Sequence, residues 1–371
     1  MGRMSQRVLI FTASIGAGHD LPAEVLATAL RAEGAHVEIV DFLAIAGPVA
    51  NAIIGGASSL ETRAGNIAFD VGYFVGTRYA PMRRVGSRVI EQIACRRMQA
   101  FLDANPADVV VSTYPITTEL LGRMRRKGLL GAPVVSAITD LAALNYWAHP
   151  GVDLHLITHP ESEPEVRAIA GAGARIEAVH GLTDLRFVTP PPRAAARADL
   201  GLEPEGRLVV VSGGGWGVGD LRGATDDALA AGAATVIVLV GHNAGAKIRL
   251  EEAYAADERV QIWGFTDRMV TLLAAADVLV HSTAGLTVLE ALMCGSRVIS
   301  YGWARGHIRI NNRAYERLGM VAVARDRPAL ARALSEALAA PPLGPQVPDL
   351  PAAAERVLGF VAAEREPAHA W

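Results

Sequence analysis

The sequence predicts an α/β protein made of two Rossmann-like, doubly wound domains. Three observations carry this. Short β-branched runs alternate with helical patterns from Arg7 to Val179, and again from Leu208 to Ala339. Each half opens with a strand that runs into a glycine turn, Ser14–His19 (SIGAGH) in the first and Ser212–Gly219 (SGGGWGVG) in the second. A Pro-, Ala- and Arg-rich stretch, Thr189–Gly206, separates the halves and reads as a linker. A chain of 371 residues is also too long for one typical core. The expected domains are 1–188 and 207–345, joined by 189–206. Residues 346–371 supply a last helix, Ala352–Glu364, expected to cross back to the first domain, and a tail.

The elements follow in order. Arg7–Thr12 is a strand, Leu21–Glu33 a helix with apolar positions Leu21, Val25, Leu26 and Leu30, and His36–Asp41 the next strand. So short a crossover predicts parallel pairing. Phe42–Leu102 is long and helical in pattern. Its apolar clusters, Ala44–Ile54 and Phe69–Val75, are interleaved with Arg78, Arg83, Arg84, Arg88, Arg96 and Arg97. Two readings stand: helices packed on the sheet with solvated arginines, or a basic amphipathic surface for anionic lipid. Alternation resumes with strands at Asp108–Thr113, Pro133–Asp140 and Asp153–Thr158, and helices at Thr117–Lys127 and Glu163–Gly171. In the second half, strands are expected at Leu208–Ser212, Thr235–Gly241, Val260–Trp263, Val278–His281 and Arg297–Ser300. Helices are expected at Leu221–Ala231, Ile248–Ala255, Asp267–Ala275 (N-cap Thr266 or Asp267), Thr287–Met293, Asn311–Leu318 and Pro328–Ala339.

Composition narrows the classes. Hydrophobic residues are 51% and charged residues 20%, which argues against disorder. A net charge of −3 gives no global pull toward nucleic acid. Cys95 and Cys294 are too far apart in sequence for a disulfide framework or a metal cluster, and a reducing cytoplasm is the default. No signal peptide is expected, and no run reaches the roughly 18–20 apolar residues of a membrane span. No metal-ligand set is expected either. His155 and His159 fall on a strand and its exit, too far apart to share an ion.

The glycine run after Leu208–Ser212 has the chemistry of a phosphate seat. Glycines bring bare N–H groups close to a ligand, and the helix expected to begin there would add its positive end. The other reading is a turn that only packs. In open parallel sheets ligands sit at the carboxyl ends of strands, so two such domains predict an active site where they face each other.

SIGAGH after the first strand, STYP at 112–115, ITD at 138–140 and the stretch Gly264–Asn312 together resemble the GT-B glycosyltransferases. The chain is similar to the monogalactosyl- and glucosyl-diacylglycerol synthases, and more distantly to the lipid-linked N-acetylglucosaminyltransferase of peptidoglycan synthesis. The resemblance covers residues 8 to 325. It implies a GT-B fold, a nucleotide-sugar donor, usually UDP-linked, no cofactor or obligatory metal, inverting transfer, and a lipid or hydrophobic small-molecule acceptor. It also implies a cytoplasmic enzyme, peripheral at the inner face of the cell membrane.

The resemblance assigns residues as follows. Gly213, Gly214 and Gly215 would hold the donor diphosphate and stabilise the leaving group, with Ser282, Thr283 and Gly285 in the turn before the T-x-x-E helix. Gly264 and Phe265 would read the base, with Met269 packed against it. Glu290, in Thr287-Val288-Leu289-Glu290, would bind the ribose hydroxyls. His19 and Asp140 are the catalytic candidates. Either is the base, or Asp140 orients His19. Gly16 and Gly18 lie on the acceptor side. Trp216 would shield the site or fill the interface between domains.

The chain departs from its relatives at Arg305-Gly306-His307-Ile308-Arg309-Ile310-Asn311, where they carry Pro-Gly-Gln-Glu-x-x-Asn. His307 and Asn311 remain to contact the donor sugar, but Ile308 cannot accept a hydroxyl hydrogen bond. An altered hexose, a deoxysugar or an N-acetyl sugar is the expected donor. Ser282 stands where relatives often have Lys or Arg. Other readings are transfer to a soluble specialised metabolite, with 42–102 as a lid, a silent UDP-sugar-binding protein, and a UDP-N-acetylglucosamine 2-epimerase.

Overall fold

The structure is a computed structural model and describes residues 5–14, 17–48, 50–52, 79–302 and 306–365. The chain divides into two compact units, Met1–Asp184 with Asp349–Trp371, and Leu185–Pro348.

The first unit is a six-stranded parallel sheet in the order β2-β1-β3-β4-β5-β6. Its strands are β1 (Arg7–Thr12), β2 (His36–Asp41), β3 (Val109–Ser112), β4 (Val134–Ile138), β5 (Leu154–Ile157) and β6 (Ile176–Ala178). Residues of β1 alternate between two cores, as a period of two requires. Val8 and Ile10 pack with Leu26 and Leu30 of α1 (Ala17–Ala32), whereas Leu9 and Phe11 pack with Met98 and Leu121 on the other face. With helices on both faces, the strands read as continuous apolar runs, and β3 is buried at every position.

Two helices bracket the long helical-pattern stretch, α2 (Phe42–Ala46) and α3 (Ala80–Ala104). The apolar run 69–75 lies outside the described residues, as do Gly16 and Arg78. After β3 comes α4 (Pro115–Arg126), and after β5 comes α5 (Glu163–Ala170).

The second unit is also six-stranded and parallel, in the order β12-β11-β10-β7-β8-β9. Its strands are β7 (Leu208–Ser212), β8 (Thr235–Leu239), β9 (Val260–Trp263), β10 (Val278–His281), β11 (Arg297–Tyr301) and β12 (Ala322–Ala324). Its helices are α6 (Arg193–Asp199), α7 (Leu221–Ala230), α8 (Ala244–Ala253), α9 (Met269–Ala275), α10 (Leu286–Met293), α11 (Gly306–Leu318) and α12 (Arg327–Ala339). The short strands β6 and β12 carry no apolar run long enough to signal them in the sequence.

The Pro/Ala/Arg-rich stretch at 189–206 belongs to this unit and contains α6. Arg197 of α6 is 2% exposed and donates to Asp277 Oδ2 at 2.9 Å. Asp277 also accepts from Arg193 at 2.6 Å and from the Leu208 amide at 2.8 Å. One buried carboxylate therefore ties α6 to the start of β7.

The last helix, α13 (Ala353–Arg365), packs in the first unit, where Val357 and Val361 join the core beneath α1. A short parallel bridge leads it in, with His180 N donating to Pro351 O at 3.0 Å and Ala353 N to His180 O at 2.8 Å.

Candidate active site

Each sheet reverses its winding next to its first strand. In the second unit the chain leaves β7 for β8 on one side and returns as β10 on the other. A crevice opens at the carboxyl ends of strands where order reverses in this way. Ser212 and His281, the last residues of β7 and β10, are register partners, so the loops that follow them start side by side.

These loops interlock through glycines. Gly214 has φ +66°, and a methyl there would come within 2.8 Å of Thr283 Oγ1. Gly219 has φ +98°, and a methyl there would collide with Ser282 Oγ. The Gly215 carbonyl accepts from His242 N at 2.8 Å, which ties in the loop after β8. Gly213, Gly214, Gly215, Ser282 and Thr283 thus lie in one neighbourhood.

The helix expected to open at the glycines does not. A single 3₁₀ turn, Gly214–Trp216, follows them, and α7 starts only at Leu221. Its first turn is capped by Asp220, whose Oδ1 accepts from Gly223 N at 2.9 Å and whose Oδ2 accepts from the Tyr301 hydroxyl at 2.8 Å. A carboxylate at that N-terminus already satisfies the donors and the dipole that an anion would use. The N-terminus of α10 carries no such cap: Gly285 at φ +134° is its cap residue and no side chain bonds the first turn.

Glu290 lies in the second turn of α10 and is buried. Burial, with the charge of Glu290 beside it, pushes the Cys294 thiol up to about 12. His281 ends β10 fully buried, 3.0 Å from Thr283 Oγ1 through Nε2, and burial holds its ring down to about 4. It is neutral at physiological pH.

Gly264 and Phe265 form the loop after β9. Phe265 is exposed and stacks on His242, with centroids 4.4 Å apart and planes at 14°. Trp216 is exposed too and meets the same imidazole edge-on at 6.3 Å. Loops after β7, β8 and β9 therefore present an aromatic group. The following helix, α9, begins at Met269 with Arg268 as its cap residue, two residues later than the sequence suggests. Thr266 Oγ1 accepts from Arg268 N at 3.1 Å in a local turn and leaves the helix uncapped.

The helix expected from Asn311 begins five residues earlier: from Gly306 onward the 305–311 stretch is the start of α11, and Arg305 lies outside the described residues. Ile308 is buried in that helix, His307 is half-buried, and Asn311 Nδ2 donates to His307 O at 3.1 Å.

In the first unit β1 lies between β2 and β3, the same reversal. His19 sits there, in the first turn of α1 with Gly18 and not in the preceding turn, because the helix starts a turn earlier than Leu21. Its Nδ1 donates to the Thr113 carbonyl at 3.2 Å, and Thr113 Oγ1 donates to His19 O at 3.1 Å. With the proton on Nδ1, the neutral ring carries its lone pair on Nε2.

Asp140 follows β4. Its Oδ2 accepts the indole N–H of Trp147 at 2.8 Å. The Trp147 ring lies 5.8 Å from the His19 ring, and Tyr114 meets His19 edge-on at 5.0 Å. His159, after β5, is fully buried and held down to about 4 by burial, against the opposing pull of Glu161 and Asp140.

Similarities to known proteins agree with this fold. Residues 19–179 match the profile of monogalactosyldiacylglycerol (MGDG) synthase, and residues 217–340 match that of glycosyl transferases group 1. The chain is 20% identical over 322 residues to the processive diacylglycerol beta-glucosyltransferase of Bacillus subtilis (strain 168), covering 86% of this chain and 83% of that one. It is 28% identical over 217 residues to monogalactosyldiacylglycerol synthase 1, chloroplastic, of Arabidopsis thaliana, covering 54% and 39%. Among solved structures it resembles MurG of Acinetobacter baumannii, with a TM-score of 0.56, 14% identity, and coverage of 96% and 99%. It also resembles Arabidopsis thaliana UGT89C1 complexed with UDP-L-rhamnose, with a TM-score of 0.55, 15% identity and 91% coverage of both chains. The chain is a GT-B glycosyltransferase. Within that fold the glycosyltransferase is a hexosyltransferase.

Among the described residues of this glycosyltransferase, no helix is long and apolar enough to cross a membrane. Helix α3 does expose Met82, Val85 and Val89, and Arg84 and Arg88 are exposed along the same helix. Sequence reasoning missed Trp147 and the Asp220–Tyr301 pair. Asp220 had a signal, a capping residue directly before an apolar helix. Trp147 had none beyond its size.

Proposed function

We propose that the chain transfers a sugar from a UDP-sugar, with inversion and without a metal, to the hydroxyl of a diacylglycerol-type lipid at the cytoplasmic face of a membrane. The observation that carries this reading is the interlocked pair of loops after β7 and β10, with the uncapped start of α10 beside them. The Gly213 and Gly214 amides already donate to Leu239 O at 3.2 Å and Ser212 Oγ at 3.2 Å and shape the turn. The amides of Gly215 and of the first turn of α10, with the hydroxyls of Ser282 and Thr283, offset the charge of a diphosphate. They also stabilise it as it leaves. Glu290, one turn further on, accepts from the ribose hydroxyls. Gly264 and Phe265 hold the base, with Met269 behind them.

The acceptor hydroxyl gives its proton to His19 Nε2 or to Asp140 as its oxygen attacks the anomeric carbon. The bond from that carbon to the phosphate oxygen breaks on the opposite face, and UDP leaves with the electron pair. His307 and Asn311 contact the donor sugar, with Gly16 and Gly18 on the acceptor side. With Ile308 buried where relatives carry an acceptor, an altered hexose, a deoxysugar or an N-acetyl sugar fits better than glucose or galactose. The α3 face, with Met82, Val85 and Val89 among arginines, is suited to anionic lipid.

A panel of UDP- and dTDP-sugars with diacylglycerol vesicles tests the reading. The expected result is one preferred UDP-sugar and a glycolipid product. Glu290→Ala should weaken UDP binding by about 1–3 kcal/mol, the cost of losing a charged hydrogen-bond partner. Unchanged UDP affinity in that variant would count against the ribose assignment.

A further inference from the structure

We propose that Trp147 is a positioning residue for the base, holding the Asp140 carboxylate in place while bracing the His19 imidazole. The inference rests on the reading above, in which His19 and Asp140 serve proton removal.

The indole is placed to do two things at once. Its Nε1 donates to Asp140 Oδ2 at 2.8 Å, and its ring lies 5.8 Å from that of His19 at an interplanar angle of 49°. The two candidate groups come from different elements, α1 and the end of β4, and the indole touches both. It is itself fixed, being 1% exposed and packed with Leu144, Ile138, Ile157 and Val166. Its carbonyl accepts from Ser136 Oγ at 2.7 Å, and its amide donates to Leu144 O at 2.9 Å.

The backbone that delivers it is strained. Ala143, at φ +70°, is the non-glycine residue in the left-handed region among the described residues, and it opens the 3₁₀ turn Leu144–Tyr146. Glu165 Oε1 accepts from Leu144 N at 3.1 Å and holds that turn. A left-handed alanine persists only where the surroundings over-determine it, and such strain gathers at working sites. Here it sets the turn that places the indole N–H against Asp140.

A carboxylate bonded by a buried N–H presents a fixed oxygen. The titratable groups around Asp140 are His159, from the segment after β5, and His19, across the indole. Glu161 stands next to His159, and burial keeps His159 neutral until about pH 4. Without the indole donor, the carboxylate's orientation would loosen.

The test is Trp147→Phe, which keeps an aromatic ring and removes the N–H. Release of UDP is followed with diacylglycerol vesicles and an equimolar mixture of UDP-glucose, UDP-galactose and UDP-N-acetylglucosamine. The expected result is a fall in kcat of about tenfold or more with a donor KM within about twofold. A merely structural tryptophan would lower the melting temperature and leave kcat of the folded protein unchanged. A second measurement uses no Trp147 variant. With isotope-labelled tryptophan, the indole N–H signal of Trp147 should move upfield in Asp140→Asn, because the acceptor loses its charge. An unchanged kcat in Trp147→Phe, or an unmoved indole signal in Asp140→Asn, overturns the inference. If wild-type protein releases no UDP, or Asp140→Asn turns over at the wild-type rate, the underlying reading fails and the inference with it.

Discussion

Replacing Gly241 by alanine should loosen the glycine turn that holds the proposed diphosphate seat. Gly241 follows β8 with φ +56°, and a methyl there would collide with the Gly215 carbonyl and come within 2.7 Å of the Gly214 carbonyl. Two costs arise. Left-handed backbone costs an L-residue about 1–2 kcal/mol. The collision is with backbone, so no rotamer change relieves it, and the Gly215 carbonyl must move away from His242 N, now 2.8 Å from it. Losing that bond adds about 1–3 kcal/mol. Gly201 separates the two costs. It has nearly the same conformation, φ +67°, with nothing within 4 Å of the added methyl. Gly201→Ala should show the backbone cost alone, and Gly241→Ala both. At about 2–4 °C per kcal/mol for a unit of this size, Gly241→Ala should melt a few to about ten degrees below Gly201→Ala. Differential scanning calorimetry gives that difference, and calorimetric titration with UDP gives the effect on the seat. UDP affinity should fall in Gly241→Ala and stay at the wild-type level in Gly201→Ala. Equal melting temperatures and equal UDP affinities in the two variants would refute the reasoning.

Three other outcomes are expected. His155, His159 and His281 are each held down to about 4 by burial, against about 6.5 when unfolded, so the unfolded chain binds more protons in between. Stability should be full above about pH 6.5 and fall toward pH 4 by up to about 3 kcal/mol per histidine. A melting temperature unchanged between pH 7 and pH 5 would contradict this. Asp277→Asn would strip the buried Arg197 of its counter-charge and should cost about 3–5 kcal/mol in chemical denaturation, and a loss under 1 kcal/mol would refute it. Arg84→Glu with Arg88→Glu should abolish sedimentation with anionic vesicles and leave UDP binding intact. Retained sedimentation would rule out the exposed face of α3 as the lipid contact.

Much of the architecture is legible because it is local. Val8–Phe11 and Leu208–Val211 announce buried parallel strands, and the glycines after them mark the reversal points where both candidate sites lie. What escapes the sequence depends on distant partners. Nothing near Asp220 shows that Tyr301, 81 residues away, will bond its carboxylate and complete the cap that closes α7 to an anion. Arg197 looks like one more solvated arginine in a linker until Asp277, 80 residues on, buries it. The helix expected from Asn311 begins at Gly306 as α11, with Ile308, Ala314 and Tyr315 buried on one side. Trp147 looks like an ordinary core residue, and only the fold brings its N–H to Asp140 and its ring to His19.

The central claim is sugar transfer from a UDP-sugar to a diacylglycerol-type lipid, and mass spectrometry of the lipid after incubation with the nucleotide-sugar panel tests it most directly. The account predicts a single glycosylated diacylglycerol, formed from one preferred UDP-sugar and lost in Glu290→Ala at limiting donor. Glycosylation of a water-soluble acceptor with the lipid left unmodified would contradict it.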